Sequence, residues 1–306
     1  MEHIPCNLCG ADDYRVRYPS TISASNGHPT DPEHYLCTTL SYGEHFQIVE
    51  CKQCGLVYAN PRRKPADILD DYESVVDTRY LDEQAARVAT FDRNIRPLEK
   101  LLGHASDAHR LLDVGAHVGV FVEVAGKRGW KAEGLEPSRW AVEEGRRRGL
   151  TMHQGTLRDA ELEPASYDAV TMWDVVEHLV DPMGDLHESA RLLKPGGALL
   201  LHTINIDSAL ARLMGKRWPW LVEMHNFFFS PTTLGAMVEK AGLEVRSSHT
   251  QGRYLHLGYL LSRLSGFNAT LGKWAEGAAK TLGAEHWLVP INTGDLFTML
   301  ATKPAN

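Results

Sequence analysis

The chain has 306 residues, 43% apolar and 23% charged, an ordinary globular composition long enough for one large core and a smaller appended unit. Its formal net charge of −7 argues against a duplex nucleic-acid partner, which is normally held through many lysine and arginine contacts to phosphate. Glu2, His3 and Pro5 interrupt the start and no apolar run reaches the roughly 20 residues of a membrane span, so a cytoplasmic protein without a secretory leader is expected.

The five cysteines are not scattered. Cys6 and Cys9 make one C-x-x-C, Cys51 and Cys54 a second, and a glycine follows each pair, Gly10 and Gly55. Such a turn points two thiolates at one ion, and two turns complete a tetrahedral four-cysteine site whose usual metal is zinc. Disulfides do not suit the expected compartment. The loop between the pairs exceeds the ~15–20 residues of a minimal ribbon, which makes Thr21 to Ser41 an expected insertion. Cys37 is left over as a small side chain in the protein interior.

After the second pair, Gly55 to Tyr58 reads as a short strand closed by Asn60-Pro61. Val88, Phe91, Ile95, Leu98 and Leu102 then repeat at three- and four-residue steps, an amphipathic helix that Pro97 should kink or restart. From Arg110 the texture becomes strand–helix alternation. Strands are expected at Arg110–Val114, Lys131–Leu135, Thr151–Gln154, Tyr167–Val176, Ala198–Ile204, Leu243–Arg246 and Asp295–Thr302. Helices open at Ser138, Asp181-Pro182 and Ser230-Pro231, and two more fill Tyr254–Phe267 and Leu271–Leu282. Nearly continuous apolar strands mean a parallel sheet covered on both faces, with ligands beyond the carboxyl ends of its strands. The expected organisation is a cysteine unit at 1–62, a helical connector or lid at 63–109, and an α/β domain at 110–306 with a helical insertion at about 254–290.

Asp113-x-Gly115-x-x-x-Gly119 joins the first of these α/β strands to a helix, and Glu136 ends the next strand. The glycines let the backbone approach a ligand, the helix start offers unpaired N–H groups, and the carboxylate can accept both hydroxyls of a ribose. Several nucleotide-binding classes share this arrangement, and a ligand-free turn would look the same.

Leu111 to Gly119 resembles motif I of class I S-adenosylmethionine (SAM) dependent methyltransferases. Tyr167 to Val170 with Trp173 to Pro182 resembles their fourth-strand motif, and Arg191 to Gly197 the turn before their fifth strand. The paired C-x-x-C-G turns resemble zinc ribbons fused ahead of bacterial small-molecule methyltransferases. The resemblance covers roughly Arg110 to Arg246. It implies a Rossmann-like class I sheet with helices on both faces behind a small zinc ribbon, and SAM as cofactor. Gly115 and Gly119 would flank the methionine part, and Glu136 would hold the ribose. Thr156 and Leu157 would take the adenine-edge position, where the common Asp is missing, with Trp173 and Asp174 beside the sulfonium. Asp113 and Pro137 belong to the same expected site. His117 stands where the family usually has glycine, which implies an altered contact to the amino-acid end of the cofactor.

On the acceptor side, methyl transfer needs alignment and, for a poor nucleophile, removal of a proton. Of fifteen histidines, two stand out by place. His225 lies in the aromatic-rich Trp218–Phe229 segment after the fifth strand, and His178 follows the fourth. Both are candidate catalytic groups. Asp174, Glu177 and His178 also resemble the acidic-acidic-His triplet of ubiquinone-type O-methyltransferases, which can hold a divalent cation, although Glu-His here is common in relatives without metal. The implied function is methyl transfer to a small molecule, at a hydroxyl of a sugar, glycolipid, phenol or polyketide. A zinc-ribbon RNA methyltransferase and a non-catalytic binding protein on the same scaffold are the alternatives. An NAD-dependent oxidoreductase would want G-x-G-x-x-G, which is absent. Core packing accounts for the inserted helices, with a homodimer surface or a cap over a hydrophobic substrate as other uses.

Overall fold

A computed structural model of the chain describes residues 1–22, 43–103, 108–264 and 269–305. Cys37 and nearly all of the expected Thr21–Ser41 insertion lie outside the described residues.

Strands β1 (Tyr14–Tyr18), β2 (Ile48–Cys51) and β3 (Val57–Ala59) come first. Helix α1 (Pro65–Ser74) starts on proline, whose fixed φ and missing N–H suit a first turn. A 3₁₀ turn at Thr78–Glu83 leads into α2 (Gln84–Asn94). The apolar stripe from Val88 to Leu102 is broken where Pro97 requires it: α2 stops at Asn94, and α3 (Arg96–Leu102) restarts with Pro97 in its first turn. Next come β4 (Arg110–Val114), α4 (Val120–Lys127), β5 (Lys131–Glu136) and α5 (Arg139–Arg147), the last capped by Ser138. β6 (Met152–Gln154) is followed by β7 (Tyr167–Trp173). β7 stops short of the expected Val176 because Asp174 takes a left-handed φ of 54°, which ends a strand.

Helix α6 (Pro182–Leu192) opens on the Asp181 cap, whose carboxylate accepts from the Gly184 N–H at 3.2 Å. β8 (Leu193–Ile204) begins before Pro195-Gly196-Gly197, not after it as expected. The Gly196 N–H donates to Lys303 O and the Lys303 N–H to Gly197 O, so pairing with the end of the chain keeps this stretch extended. Then follow α7 (Ala209–Met214), the two-residue β9 (Phe227–Phe228), α8 (Pro231–Lys240) and β10 (Glu244–Thr250), which runs past the expected Arg246. The insertion is not purely helical. A ribbon of β11 (Arg253–His256) and β12 (Leu288–Ile291) carries α9 (Leu257–Leu264) and α10 (Ala269–Thr281), and Tyr254 stands on a strand. Trp274 and Leu282 are exposed there, so core packing does not account for the whole insertion. β13 (Leu296–Thr302) is the last strand.

Among the described residues the large sheet has seven strands in the order β10-β13-β8-β7-β4-β5-β6. It is mixed rather than all parallel, because β13 runs antiparallel to both β8 and β10. Successive strand residues face opposite sides, and the core divides accordingly. Val170, Met172, Leu199, Leu201, Phe297 and Met299 join Leu186, Leu234 and Met237 of α6 and α8 on one face. Ala169, Trp173, Leu200 and Leu300 join Leu98 of α3 and Phe121 and Ala125 of α4 on the other. A second sheet, β1-β2-β3-β9, takes its last strand from far along the chain: Val57 pairs with Phe228 and Tyr58 with Phe227. Cys51 and Tyr58 of this sheet, with Cys6 and Leu8 of the turn before it, belong to the same apolar cluster as α6 and α8. Among the described residues no helix is long and apolar enough to cross a membrane.

Asp295, 2% exposed, fixes the segment between α7 and β9 to the end of the large sheet. Its Oδ2 accepts from the indole N–H groups of Trp218 (2.9 Å) and Trp220 (3.0 Å). Leaving a buried donor unpaired costs about 1–3 kcal/mol. Asp295→Ala should therefore lower the unfolding free energy by about that amount for each orphaned indole, read as a lower urea midpoint with an unchanged slope.

Candidate active site

The turn after β4 is shaped by Gly115, whose φ is +69° and whose Cβ, were there one, would lie 2.5 Å from Val175 Cγ2. No side chain fits there, and the backbone is left open to the space above the strand ends. Glu136, at the end of β5, closes this turn from the other side. Its Oε2 accepts from the His117 N–H and its Oε1 from the Ser138 N–H, both at 2.9 Å. Burial pushes the carboxyl pKa up, and the two N–H donors oppose that rise.

A cavity of about 750 Å³ opens over the strand ends. Gly115, His117, Glu136, Pro137, Thr156, Leu157, Trp173, Asp174, His178 and His225 all line it. The structure thus brings ten of the twelve residues expected at the cofactor and acceptor sites around one space. Asp113 and Gly119 are not on its wall. Asp113 is buried behind the turn, where it accepts from Thr171 Oγ1 at 2.7 Å and burial raises its pKa to about 8. Gly119 caps α4. His117 adopts the left-handed φ of 50° expected of a glycine position. Its ring stacks on Tyr80 with centroids 3.7 Å apart, and Arg87 covers the other side of that tyrosine stack at 3.7 Å from the Tyr80 centroid. Neither His117 ring nitrogen has a hydrogen-bond partner among the described residues, and burial lowers its pKa to about 3, so the ring is neutral.

Several wall residues carried no local signal in the sequence. Arg253, on β11, reaches Asp174 at 3.3 Å, and His202 of β8 lies 3.8 Å from the same carboxylate. Burial alone would raise the Asp174 pKa, but Arg253 and His202 hold it below its ordinary value. Tyr72 of α1 and Phe91 of α2 also line the cavity, which makes the helices before β4 part of its roof. The sequence shows Arg253 only as one cation before an apolar stretch; the ribbon that aims it is a nonlocal pairing.

Elsewhere on the wall, His178 and His225 face each other with ring centroids 4.7 Å apart. Nδ1 of His178 lies 3.0 Å from Met224 O, and Nδ1 of His225 2.8 Å from Trp220 O. A carbonyl can only accept, so the His225 Nδ1 carries the proton and its Nε2 keeps a lone pair, while the His178 Nδ1 is shared between Met224 O and the Tyr72 hydroxyl, also at 3.0 Å. Burial lowers the His178 pKa to about 4 and takes that of His225 well below its ordinary value, so both rings are neutral at pH 7. Glu177 lies beside them. Burial, and then the neighbouring Asp174, push its pKa up to about 8, and its Oε2 has no hydrogen-bond partner among the described residues. One atom each of Glu177, His178 and His225 come within 4.8 Å of one another, a spacing that could hold a metal ion; Asp174 is not part of this group.

The four N-terminal cysteines form a second cluster, with all four Sγ atoms within 4.8 Å. Cys6 lies 3.4 Å from Cys54, and Cys9 3.6 Å from Cys51. A tetrahedral ion with metal–sulfur bonds of about 2.3 Å requires sulfurs roughly 3.8 Å apart, so the donor set and its spacing fit zinc. Gly10 and Gly55 follow the two turns with φ near +80°, each sending its N–H back to the first cysteine carbonyl of its pair.

The model of the family described as "Methyltransferase domain" matches residues 82–248, more than half of the chain. A ubiquinone biosynthesis O-methyltransferase of Vibrio cholerae is 32% identical over 149 residues, covering 44% of this chain and 61% of that protein. The corresponding protein of Alkalilimnicola ehrlichii is 31% identical over 157 residues, covering 46% and 63%. The chain thus spans somewhat under two thirds of the length of the curated relatives it matches. Among solved structures, Haemonchus contortus phosphoethanolamine N-methyltransferase 2 in complex with S-adenosyl-L-methionine shares the fold, at a TM-score of 0.50 and 17% identity over 81% of this chain and 62% of that one. The match over most of the α/β sheet, including the turn after β4 and the end of β7, shows that the chain belongs to the SAM-dependent methyltransferases, with a four-cysteine cluster ahead of that domain.

Proposed function

We propose that the protein transfers a methyl group from SAM to a hydroxyl of a small molecule, with His225, assisted by His178, accepting the hydroxyl proton. The observation that carries this reading is the pair of neutral imidazoles on the wall of the cavity that also holds Glu136, each with Nδ1 tied to a carbonyl. Transfer from a sulfonium requires the acceptor oxygen, methyl and sulfur in line, which a shaped cavity supplies. The oxygen must also lose its proton, and a neutral imidazole Nε2 can take it. Glu136 is suited to the ribose hydroxyls, Gly115 and His117 to the amino-acid end, and Thr156 and Leu157 to the adenine edge. The names of the curated relatives support a hydroxyl acceptor. The helices of 63–109, whose Tyr72, Tyr80 and Phe91 line the cavity, act as its lid, and residues 1–62 form a zinc-bearing unit.

A second reading is favoured by the convergence of Glu177, His178 and His225. A divalent cation there would polarise the acceptor hydroxyl and replace the base. Residue chemistry fits it, with two imidazole lone pairs and one carboxylate oxygen without a partner.

Zinc on Cys6, Cys9, Cys51 and Cys54 should appear as one ion per chain in elemental analysis of anaerobically purified protein, and Cys9→Ser should lower both zinc content and stability, since structural zinc contributes on the order of 10–16 kcal/mol in model peptides. Metal-free protein with intact thiols and an unchanged melting point would rule the site out.

Glu136→Ala should weaken SAM binding by roughly tenfold to a hundredfold in calorimetry, the loss of one charge-assisted hydrogen bond worth about 1.5–3 kcal/mol. Parental affinity in the variant, or tighter binding of NAD than of SAM by the parent, would contradict the cofactor assignment.

In a screen of hydroxylated sugars and phenols, His225→Gln should lower turnover about 10²–10⁴-fold, the usual worth of a general base, while SAM affinity holds. Turnover that vanishes with chelator and returns with added Fe²⁺, an ion suited to two imidazoles and a carboxylate, would favour the cation over the base. Near-parental turnover of His225→Gln would contradict both.

A further inference from the structure

The N-terminal unit does more than fold a small appendage, because Asn7 of its first cysteine turn, its strand β3 and the following Arg62 reach the two segments that carry His178 and His225. We propose that Asn7, inside the first C-x-x-C turn, is a positioning residue for this histidine pair, seconded by Arg62. Asn7 Nδ2 donates to Asp181 Oδ1 at 2.8 Å, and Asn7 Oδ1 accepts from the Met183 N–H at 2.9 Å. Both partners lie just after His178, at the start of α6. Arg62 Nη1 donates to Val180 O at 2.6 Å, and Glu2 holds the same guanidinium at 2.9 Å. The chain from His178 into α6 is thereby gripped from the side chains at Val180, Asp181 and Met183.

The segment bearing His225 is gripped by the same unit. The Ala59 N–H donates to Asn226 O at 2.9 Å, and β3 pairs with β9 immediately afterwards. The two gripped segments are also joined to each other. The Asn226 and Phe227 N–H groups donate to Glu177 O at 2.9 and 3.0 Å, and Asn226 Nδ2 donates to His178 O at 2.8 Å. Apolar contact through Cys6, Leu8, Tyr58, Phe227 and Phe229 supplies adhesion but no direction. The hydrogen bonds of Asn7 and Arg62 set where the loop after β7 lies, and hence how the His178 ring meets that of His225. Neither residue lines the cavity, so each acts through the histidines and not on substrate.

The inference rests on reading His178 and His225 as the acceptor-side pair, but its test needs no turnover. Asn7→Ala and Arg62→Met, each in the full chain with ¹⁵N-labelled histidine, should shift the ring signals of His178 and His225. The ring of His153, paired with Glu133 at 2.9 Å at the other edge of the sheet, should stay in place. SAM affinity should stay within about twofold, because sites without shared partners act independently. Unmoved His178 signals in both variants, equal shifts at His153, or loss of SAM binding would overturn the proposal. Should either variant fail to fold, native-state hydrogen exchange on the unaltered protein decides the matter. The Met183 and Phe227 amides should open together with those of Cys51 and Gly55. If they open instead with Leu112 and Val170 of the large sheet, the cysteine unit does not hold the histidine segments.

Discussion

The placing of His178 against His225 depends on one backbone carbonyl. Glu177 O receives the N–H groups of both Asn226 and Phe227, and that pair of bonds joins the loop leaving β7 to the segment arriving at β9. The loop can reach that carbonyl because Asp174 turns out of the strand with a positive φ, its own N–H bonded to His202 O at 2.9 Å, and the His178 N–H then closes a turn onto Val175 O. A left-handed non-glycine residue costs on the order of 1–3 kcal/mol and persists only where its surroundings enforce it. Here the enforcement is visible: Arg253 holds the Asp174 side chain on one side of the turn, and β9 holds the loop on the other. The strained position and the facing imidazoles are parts of one construction.

The same economy applies at the turn after β4. Glu136 spends its two oxygens on the His117 and Ser138 N–H groups, so it fixes the turn after β4 as well as offering a carboxylate to the cavity. His117, where the family usually carries glycine, gives the turn a ring that reaches Tyr80 in the roof. The turn and the helices before β4 are therefore in contact across the cavity. A bulkier side chain in that position couples the floor of the site to its roof, which a glycine could not do.

Much of the fold was legible because its signals are local. An apolar run followed by Asp113-x-Gly115, a capping Ser138, and Asp181-Pro182 each report on a few neighbouring residues, and β4, α5 and α6 start where those signals put them. What was not legible depends on pairing between distant segments. Periodicity shows that Phe297 and Met299 face a core, but not that β13 runs antiparallel to β8. Pro195-Gly196-Gly197 reads as a turn until the chain end at Lys303 pairs with it. Phe227-Phe228 is too short to declare itself a strand, and its partner β3 lies in the N-terminal unit. For the candidate site, the glycines, Glu136 and the two histidines could be singled out by place in the motifs, whereas Arg253 and Tyr72 reach the cavity only through the β11–β12 ribbon and α1.

The Glu136 turn and the His178–His225 pair border one cavity, so a methyl donor bound between them must be felt at both. The most direct measurement is a titration of the unaltered protein with SAM, following the backbone amides of His117 and Ser138 and the rings of His178 and His225 by NMR. All four signals should move along a single saturable curve with one equivalent of SAM, and NAD should move none of them. Amides at Glu136 that stay fixed while SAM binds, or histidine rings that ignore a bound cofactor, would contradict it.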